Sequence, residues 1–194
     1  MSGEPAATDL LRALGPVVGK FGGRWYVFEA QAVLVWGRPR LTGDVDVTVF
    51  LDPEEPEAFV AAMAQAGFDL RVPNLRDFVA RTRVFPFTHV ASGLALDAVL
   101  GGPGLEEEFL RTARQVDVGG LVVPVIAPEA FIVTKLLAGR PKDIDDVRGI
   151  LAAQRDALDL ARVRELLHAL EAAIDQADLL PCFEEQVRIV SSRR

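Results

Sequence analysis

The stretch that decides the fold reads Gly37-Arg38-Pro39-Arg40-Leu41-Thr42-Gly43-Asp44-Val45-Asp46-Val47. From residue 45 to residue 51 the chain is rich in β-branched residues, which predicts a strand. Because side chains alternate between the faces of a strand, Asp44 and Asp46 point the same way, roughly 6.6 Å apart along the chain. Two such carboxylates can hold Mg²⁺ ions about 3.5–4 Å apart for attack on a phosphoryl group. An Asp-x-Asp pair also occurs in solvated loops, so both interpretations stand at this point.

A third carboxylate lies in an apolar strand further along the chain. Asp97 interrupts the run Leu94-Ala95-Leu96-Asp97-Ala98-Val99. A buried carboxylate costs free energy unless it is paired or binds a metal. If Asp97 faces Asp44 and Asp46, it completes a two-metal site and can take the proton from an attacking hydroxyl. If the strand lies at a sheet edge instead, Asp97 faces water.

Composition narrows the class of protein. The chain has 194 residues, a formal net charge of −7 and 50% hydrophobic residues, which is enough for a folded core. The acidity disfavours a surface coated with basic residues, which non-specific nucleic-acid binding requires, but it allows a local basic groove. One cysteine and two histidines exclude an intramolecular disulfide and disfavour a zinc site. With no apolar leader and no unbroken apolar span, we expect a cytoplasmic protein without membrane association.

Hydrophobic periodicity predicts a mixed α/β core over residues 1–127 and a helical region over residues 128–194. The fold class is therefore α/β (α+β), with a mixed β-sheet flanked by helices. Strands are predicted at residues 25–28, 45–51, 68–72, 84–88 and 94–99, with a hairpin at residues 116–125. Helices are predicted at residues 9–18, 30–36, 56–66 and 75–81, from about residue 106, and three or four times after residue 128.

Two separate segments carry a resemblance to a known family. Residues 26–33 and 36–47 resemble the DNA-polymerase-β-type nucleotidyltransferase superfamily, and within it the small prokaryotic proteins of the abortive-infection, toxin–antitoxin branch. Residues 128–130 and 134–147 are similar to a second signature of that branch. The likeness covers most of residues 24–150, with the two segments in the expected order.

The resemblance implies a mixed sheet that carries the three acids and is followed by helices. It implies transfer of a nucleoside monophosphate from an NTP to an acceptor, with Mg²⁺ and release of pyrophosphate. On the matching positions Asp44 and Asp46 would hold the metals, and Asp97 would complete the site. Lys135 and Asp143 would take the roles of the helical lysine and acid. The acceptor would be an RNA, such as a tRNA end, or a protein, and the chain would act as the toxin of a pair with an antitoxin.

Several basic and polar residues fit this reaction but also have simpler explanations. A guanidinium suits phosphate, so Arg40 is the expected phosphate contact, and the Thr42 hydroxyl either positions a phosphate or caps the turn. Lys135 either binds the nucleotide or packs its stem while its head reaches water. Asp143 and Asp146 share a helix face, and either orients Lys135 or Arg140 or is solvated. A short basic region, comprising Arg71, Arg76, Arg81 and Arg83, fits an RNA groove or a solvated helix.

One residue departs from the family pattern. The family opens its first helix with a glycine-containing turn whose amides cradle the triphosphate, and Glu29 fills that glycine position. A glutamate there competes with phosphate for the same amides and adds bulk where the backbone must approach closely. Either Glu29 turns away and activity survives, or normal NTP binding is lost. The second outcome would leave a non-catalytic protein that binds a partner as an antitoxin or regulator. A third alternative is nucleotidylation of a small, antibiotic-type molecule.

Overall fold

The computed structural model describes residues 6–37, 43–52 and 55–192. The strands are β1 Trp25–Phe28, β2 Asp44–Val49, β3 Phe68–Leu70, β4 Val84–His89, β5 Ala95–Leu100, β6 Arg114–Asp117 and β7 Val122–Val125. The helices are α1 Ala6–Gly19, α2 Glu29–Trp36, α3 Pro56–Gln65, α4 Leu75–Thr82, α5 Leu105–Thr112, α6 Pro128–Ala138, α7 Pro141–Ala153, α8 Leu160–Ile174 and α9 Leu179–Ser191. Each predicted strand and helix is confirmed, with ends shifted by a few residues, and four helices follow residue 128.

The strands form one seven-stranded sheet in the order β3-β4-β5-β2-β1-β7-β6. The pairs β2–β5 and β1–β7 are parallel, and the other pairs are antiparallel. The predicted mixed sheet is therefore confirmed. Strand β5 lies between β4 and β2, so the alternative in which Asp97 sits on an edge strand is wrong.

The chain divides into two compact units. Among the described residues, 6–31 and 43–125 belong to the first unit, and 32–37 and 126–192 belong to the second. The boundary predicted at residue 127 stays a prediction. No helix in the described parts of the chain is both long and apolar enough to cross a membrane.

Each unit has its own apolar core. In the first unit, Val45, Val47 and Leu96 are fully buried on one face of the sheet. The Phe59 ring of α3 contacts the Phe85 ring of β4 edge-on, with centroids 5.7 Å apart. This covered face explains why apolar residues alternate with acids at the start of β2 and around Asp97 in β5.

In the second unit, Phe131 of α6, Ile150 of α7, Val163 of α8 and Phe183 of α9 are all fully buried. Trp36, the last residue of α2, donates its indole N–H to the carbonyl oxygen of Ile126 at 2.8 Å. These four helices therefore pack on a shared apolar centre.

Candidate functional site

The three predicted acids lie together on one face of the sheet. In the parallel pair β2–β5, Asp46 is directly opposite Asp97, and Asp44 is opposite Ala95. Residues opposite each other on adjacent strands project from the same face, and residues two apart on one strand do so as well. The intervening residues Val45 and Val47 are buried on the opposite face. Their burial holds β2 so that Asp44 and Asp46 point to the accessible face.

Burial increases from the first acid toward the interior of the sheet. Asp44 begins β2 and is exposed, Asp46 and Asp97 are half-buried, and Thr48, two residues further, is buried. The acids thus line the rim at which β2 enters the sheet, where water and a ligand can reach them.

Arg71 contacts one of the candidate acids, a placement that the sequence did not indicate. It follows β3 directly, and its Nη2 donates a hydrogen bond to Asp97 Oδ1. The two side chains retain 38% and 36% of their surface exposed. The only sequence signal was the cluster of arginines, because the partner acid lies 26 residues away on another strand.

The donor set fits Mg²⁺ in its chemistry, since carboxylate oxygens are the ligands that this ion prefers. The register also fits, because it brings two carboxylates from neighbouring strands side by side. Within the described part of the chain, however, no three acidic, histidine or cysteine side chains converge closely enough to hold a metal ion. The acids share a face without being gathered around one point, and one of them is paired with Arg71.

Glu29 has the backbone conformation expected of a glycine position. It is the first residue of α2, and its φ angle of 50° lies in the left-handed region. It also follows Phe28, which is opposite Asp46 in the antiparallel pair β1–β2. The glycine position that the resemblance assigned to Glu29 therefore has a backbone conformation that favours glycine, and it follows the residue opposite Asp46.

Two predicted phosphate contacts cannot be placed. Arg40 and Thr42, like Arg38, lie outside the described residues. Their predicted contacts with phosphate stay predictions.

Lys135 and Asp143 form a buried ionic cluster in the second unit. The Lys135 Nζ lies 3.1 Å from Asp143 Oδ1 and 3.2 Å from Asp146 Oδ2, and the lysine side chain is fully buried. It also lies 5.1 Å from the centroid of the Phe131 ring. The alternative in which the lysine head reaches water is therefore wrong. The cluster joins α6 to α7.

Arg140 completes this cluster from the N-terminus of α7. Its Nε donates to Asp143 Oδ2 and its Nη2 donates to Asp143 Oδ1. Burial raises the pKa of the Asp143 carboxyl, but the hydrogen bonds from Arg140 and Lys135 outweigh it and hold the pKa below its ordinary value. Asp143 is thus an ionised partner for two cations, and the predicted nucleotide contacts of Lys135 and Asp143 stay predictions.

The basic region is largely neutralised by acids. Arg71 pairs with Asp97, Arg76 with Glu57 at 3.1 Å, and Arg83 with Glu106 at 3.5 Å. Three of its four arginines therefore face carboxylates of the same unit, which weakens the case for an RNA groove there.

Comparisons with known proteins agree on one class of fold. Residues 94–180, which include Asp97, Lys135 and Asp143, match a protein-family model described as "Nucleotidyl transferase of unknown function (DUF2204)". No curated protein sequence matches the chain. The crystal structure of ANT(2")-Ia in complex with adenylyl-2"-tobramycin is similar with a TM-score of 0.59 at 15% identity, over 88% of this chain and 99% of that chain.

A second structure gives the same result. The solution structure of the antibiotic-resistance factor ANT(2'')-Ia is similar with a TM-score of 0.54 at 15% identity, over 87% of this chain and 94% of that chain. Sequence identity this low carries information about the fold rather than the substrate. The mixed sheet with its flanking helices is therefore a nucleotidyltransferase-like fold.

Proposed function

We propose that this protein is a Mg²⁺-dependent nucleotidyltransferase that moves a nucleoside monophosphate from an NTP to an acceptor. The observation that carries the proposal is the register of β2 and β5, which sets Asp46 beside Asp97 on an accessible face of the sheet. The nucleotidyltransferase-like fold and the family match over residues 94–180 support the same class of reaction.

The proposed roles follow from the chemistry of the acids. Asp44, Asp46 and Asp97 would hold Mg²⁺, which when bound offsets the charge of the phosphates. The oxygen of an acceptor hydroxyl attacks the α-phosphorus, and Asp97 accepts its proton. The bond between that phosphorus and the bridging oxygen breaks, and pyrophosphate leaves. Arg40, Thr42, Lys135 and Asp143 are the further residues that we assign to nucleotide binding.

The acceptor in this proposal is an RNA, such as a tRNA end, or a protein, and the chain acts as the toxin of a toxin–antitoxin pair in the cytoplasm. Support for this part comes from the resemblance of residues 26–47 and 128–147 to that branch. It predicts that expression of the wild-type chain arrests growth and that Asp46→Ala abolishes the arrest.

Incubation of the purified protein with α-labelled NTPs, Mg²⁺ and either total tRNA or cell lysate tests the reaction. We expect a labelled product with the wild type and none with Asp46→Ala. Asp145→Ala is the matched control, because that carboxylate on α7 is 74% exposed and pairs only locally with Arg148. Equal labelling by wild type and Asp46→Ala, or no labelled product with any acceptor, contradicts the proposal.

Nucleotidylation of a small hydroxylated molecule is the second candidate. Two observations favour it: the similarity in fold to ANT(2")-Ia, and the pairing of Arg71, Arg76 and Arg83 with acids, which leaves little basic surface there for RNA. Adding a panel of aminoglycosides to the labelling assay separates the candidates, because a labelled antibiotic without labelled tRNA or protein assigns the small acceptor.

A non-catalytic role in partner binding is the candidate from another class, and Glu29 motivates it. The glutamate occupies the left-handed position beside Asp46, where a glycine would leave the amides open to phosphate. Calorimetry with ATP or GTP and Mg²⁺ discriminates. Micromolar binding by the wild type argues against this role, whereas binding that appears only in Glu29→Gly supports it.

A further inference from the structure

Arg71, Asp97 and Asp46 lie in one row across the sheet. The Arg71 N–H donates to the carbonyl oxygen of Pro86 at 2.9 Å, which extends the pairing of β3 with β4 by one residue. Pro86 is opposite Asp97 in the pair β4–β5, and Asp97 is opposite Asp46 in the pair β5–β2. Side chains in such a row project from the same face. The backbone therefore places the Arg71 side chain on the same face of the sheet as Asp97 and Asp46.

The guanidinium reaches the acid that a metal would need. Arg71 Nη2 donates to Asp97 Oδ1, and this contact places a cation on the acidic face. A cation already bound to one carboxylate oxygen competes with a metal for that carboxylate, because both require the same lone pairs and negative charge. The Arg71 guanidinium therefore opposes the convergence of Asp44, Asp46 and Asp97 on a shared metal ion.

The exposure of the pair makes it easy to open. Side chains that are 38% and 36% exposed form an ion pair in a medium close to water, where such pairs are weak. Ligand binding can therefore separate Arg71 from Asp97 at small cost. A released guanidinium on this face suits phosphate, because its planar N–H groups match two phosphate oxygens.

We propose that Arg71 exchanges partners during nucleotide binding: it holds Asp97 in the nucleotide-free protein and contacts the nucleotide phosphates when Asp97 binds the metal. This inference rests on the proposed function and deepens it by adding a positioning and phosphate-binding residue. Arg71 therefore lowers the affinity of the protein for the metal alone and raises its affinity for the nucleotide.

Two binding measurements on Arg71→Ala test the exchange. The first is titration with Mn²⁺ alone, followed by electron paramagnetic resonance. The second is calorimetry with the α,β-methylene analogues of the four ribonucleoside triphosphates at saturating Mg²⁺. We expect Mn²⁺ affinity to rise about fivefold, the equivalent of one exposed ion pair. We expect analogue affinity to fall about tenfold or more, the equivalent of a lost charged hydrogen bond.

Arg76→Ala is the matched control, since Arg76 pairs with Glu57 through side chains that are both 86% exposed. It should leave both affinities within about twofold of the wild type, as expected for a solvated surface pair. Thermal unfolding of Arg71→Ala should match the wild type closely, because its backbone hydrogen bond to Pro86 is retained.

Opposite changes in the two affinities support the exchange. An unchanged or lowered Mn²⁺ affinity, an unchanged or raised analogue affinity, or no Mn²⁺ binding by either protein overturns it. The labelling assay reports separately on the proposed function. Transfer by the wild type that Asp46→Ala abolishes upholds that function even if Arg71→Ala changes neither affinity.

Discussion

Substitution of Lys135 tests whether the buried ionic cluster stabilises the packing of α6 against α7. Its ammonium is fully buried and lies 3.1 Å from Asp143 and 3.2 Å from Asp146. Lys135→Met keeps the length and volume of the side chain but leaves the carboxylates without that cation. Breaking a buried ion pair costs about 3–5 kcal/mol, since the remaining charge is uncompensated. Arg140 still donates to both oxygens of Asp143, so we expect the lower end, about 3 kcal/mol.

Urea unfolding followed by circular dichroism at 222 nm measures this loss. With a slope of about 1–3 kcal/mol per molar urea, the midpoint should fall by about 1–3 M. Lys142→Met is the control, because Lys142 is an exposed lysine of α7 and should lose less than about 0.5 kcal/mol. Adding Asp146→Asn to Lys135→Met removes one buried charge and should recover part of the stability.

The reasoning is refuted if Lys135→Met costs less than about 1 kcal/mol, since that value is ordinary for an exposed ion pair. The same variant informs the proposed nucleotide role of Lys135. Loss of nucleotide affinity without loss of stability would show that the lysine serves the ligand rather than the helical packing.

Three further outcomes follow from individual residues. Glu29→Gly should raise the unfolding free energy by about 1 kcal/mol in the same urea assay, because the left-handed φ of 50° strains a side chain but not glycine. The pKa of the Asp143 carboxyl is held below its ordinary value of 3.8, so in acid the unfolded state binds more protons than the folded state. The unfolding free energy should therefore fall as the pH drops below 3.8, and it should fall less steeply in Asp143→Asn. Burial raises the pKa of Tyr26 from 10.0 to about 12, so the folded state retains its proton longer. Stability should therefore fall between these two pH values by roughly 2–3 kcal/mol, a loss that Tyr26→Phe should remove.

The site was predictable where its residues sit within one strand. The alternation around Asp44 and Asp46 is a local property, and it correctly set Val45 in the core and both acids on the other face. The glycine position of Glu29 came from the resemblance to the nucleotidyltransferase superfamily, and the left-handed φ of that residue agrees with it.

The partners of charged residues were less predictable, because they come from distant parts of the chain. Asp97 faces Arg71 across β4, and no local pattern encodes that contact over 26 residues. For Lys135 the sequence left open a ligand, water, or contact with Asp143 or Asp146, and the structure shows it fully buried against both aspartates. Spacing indicated a shared helix face for Asp143 and Asp146 and offered Lys135 or Arg140 as their cation, and the structure shows Asp143 in contact with both.

Local patterns predicted the helices and strands, the mixed α/β class and the shared face of Asp44 and Asp46, because periodicity and turn chemistry act over a few residues. Tertiary structure alone decided that β5 lies inside the sheet next to β2, which sets Asp46 beside Asp97. It also decided that the acidic face carries Arg71 as a counter-ion. The physical reason is that strand order and ion pairing depend on which distant surfaces bury together, a choice made by the whole core.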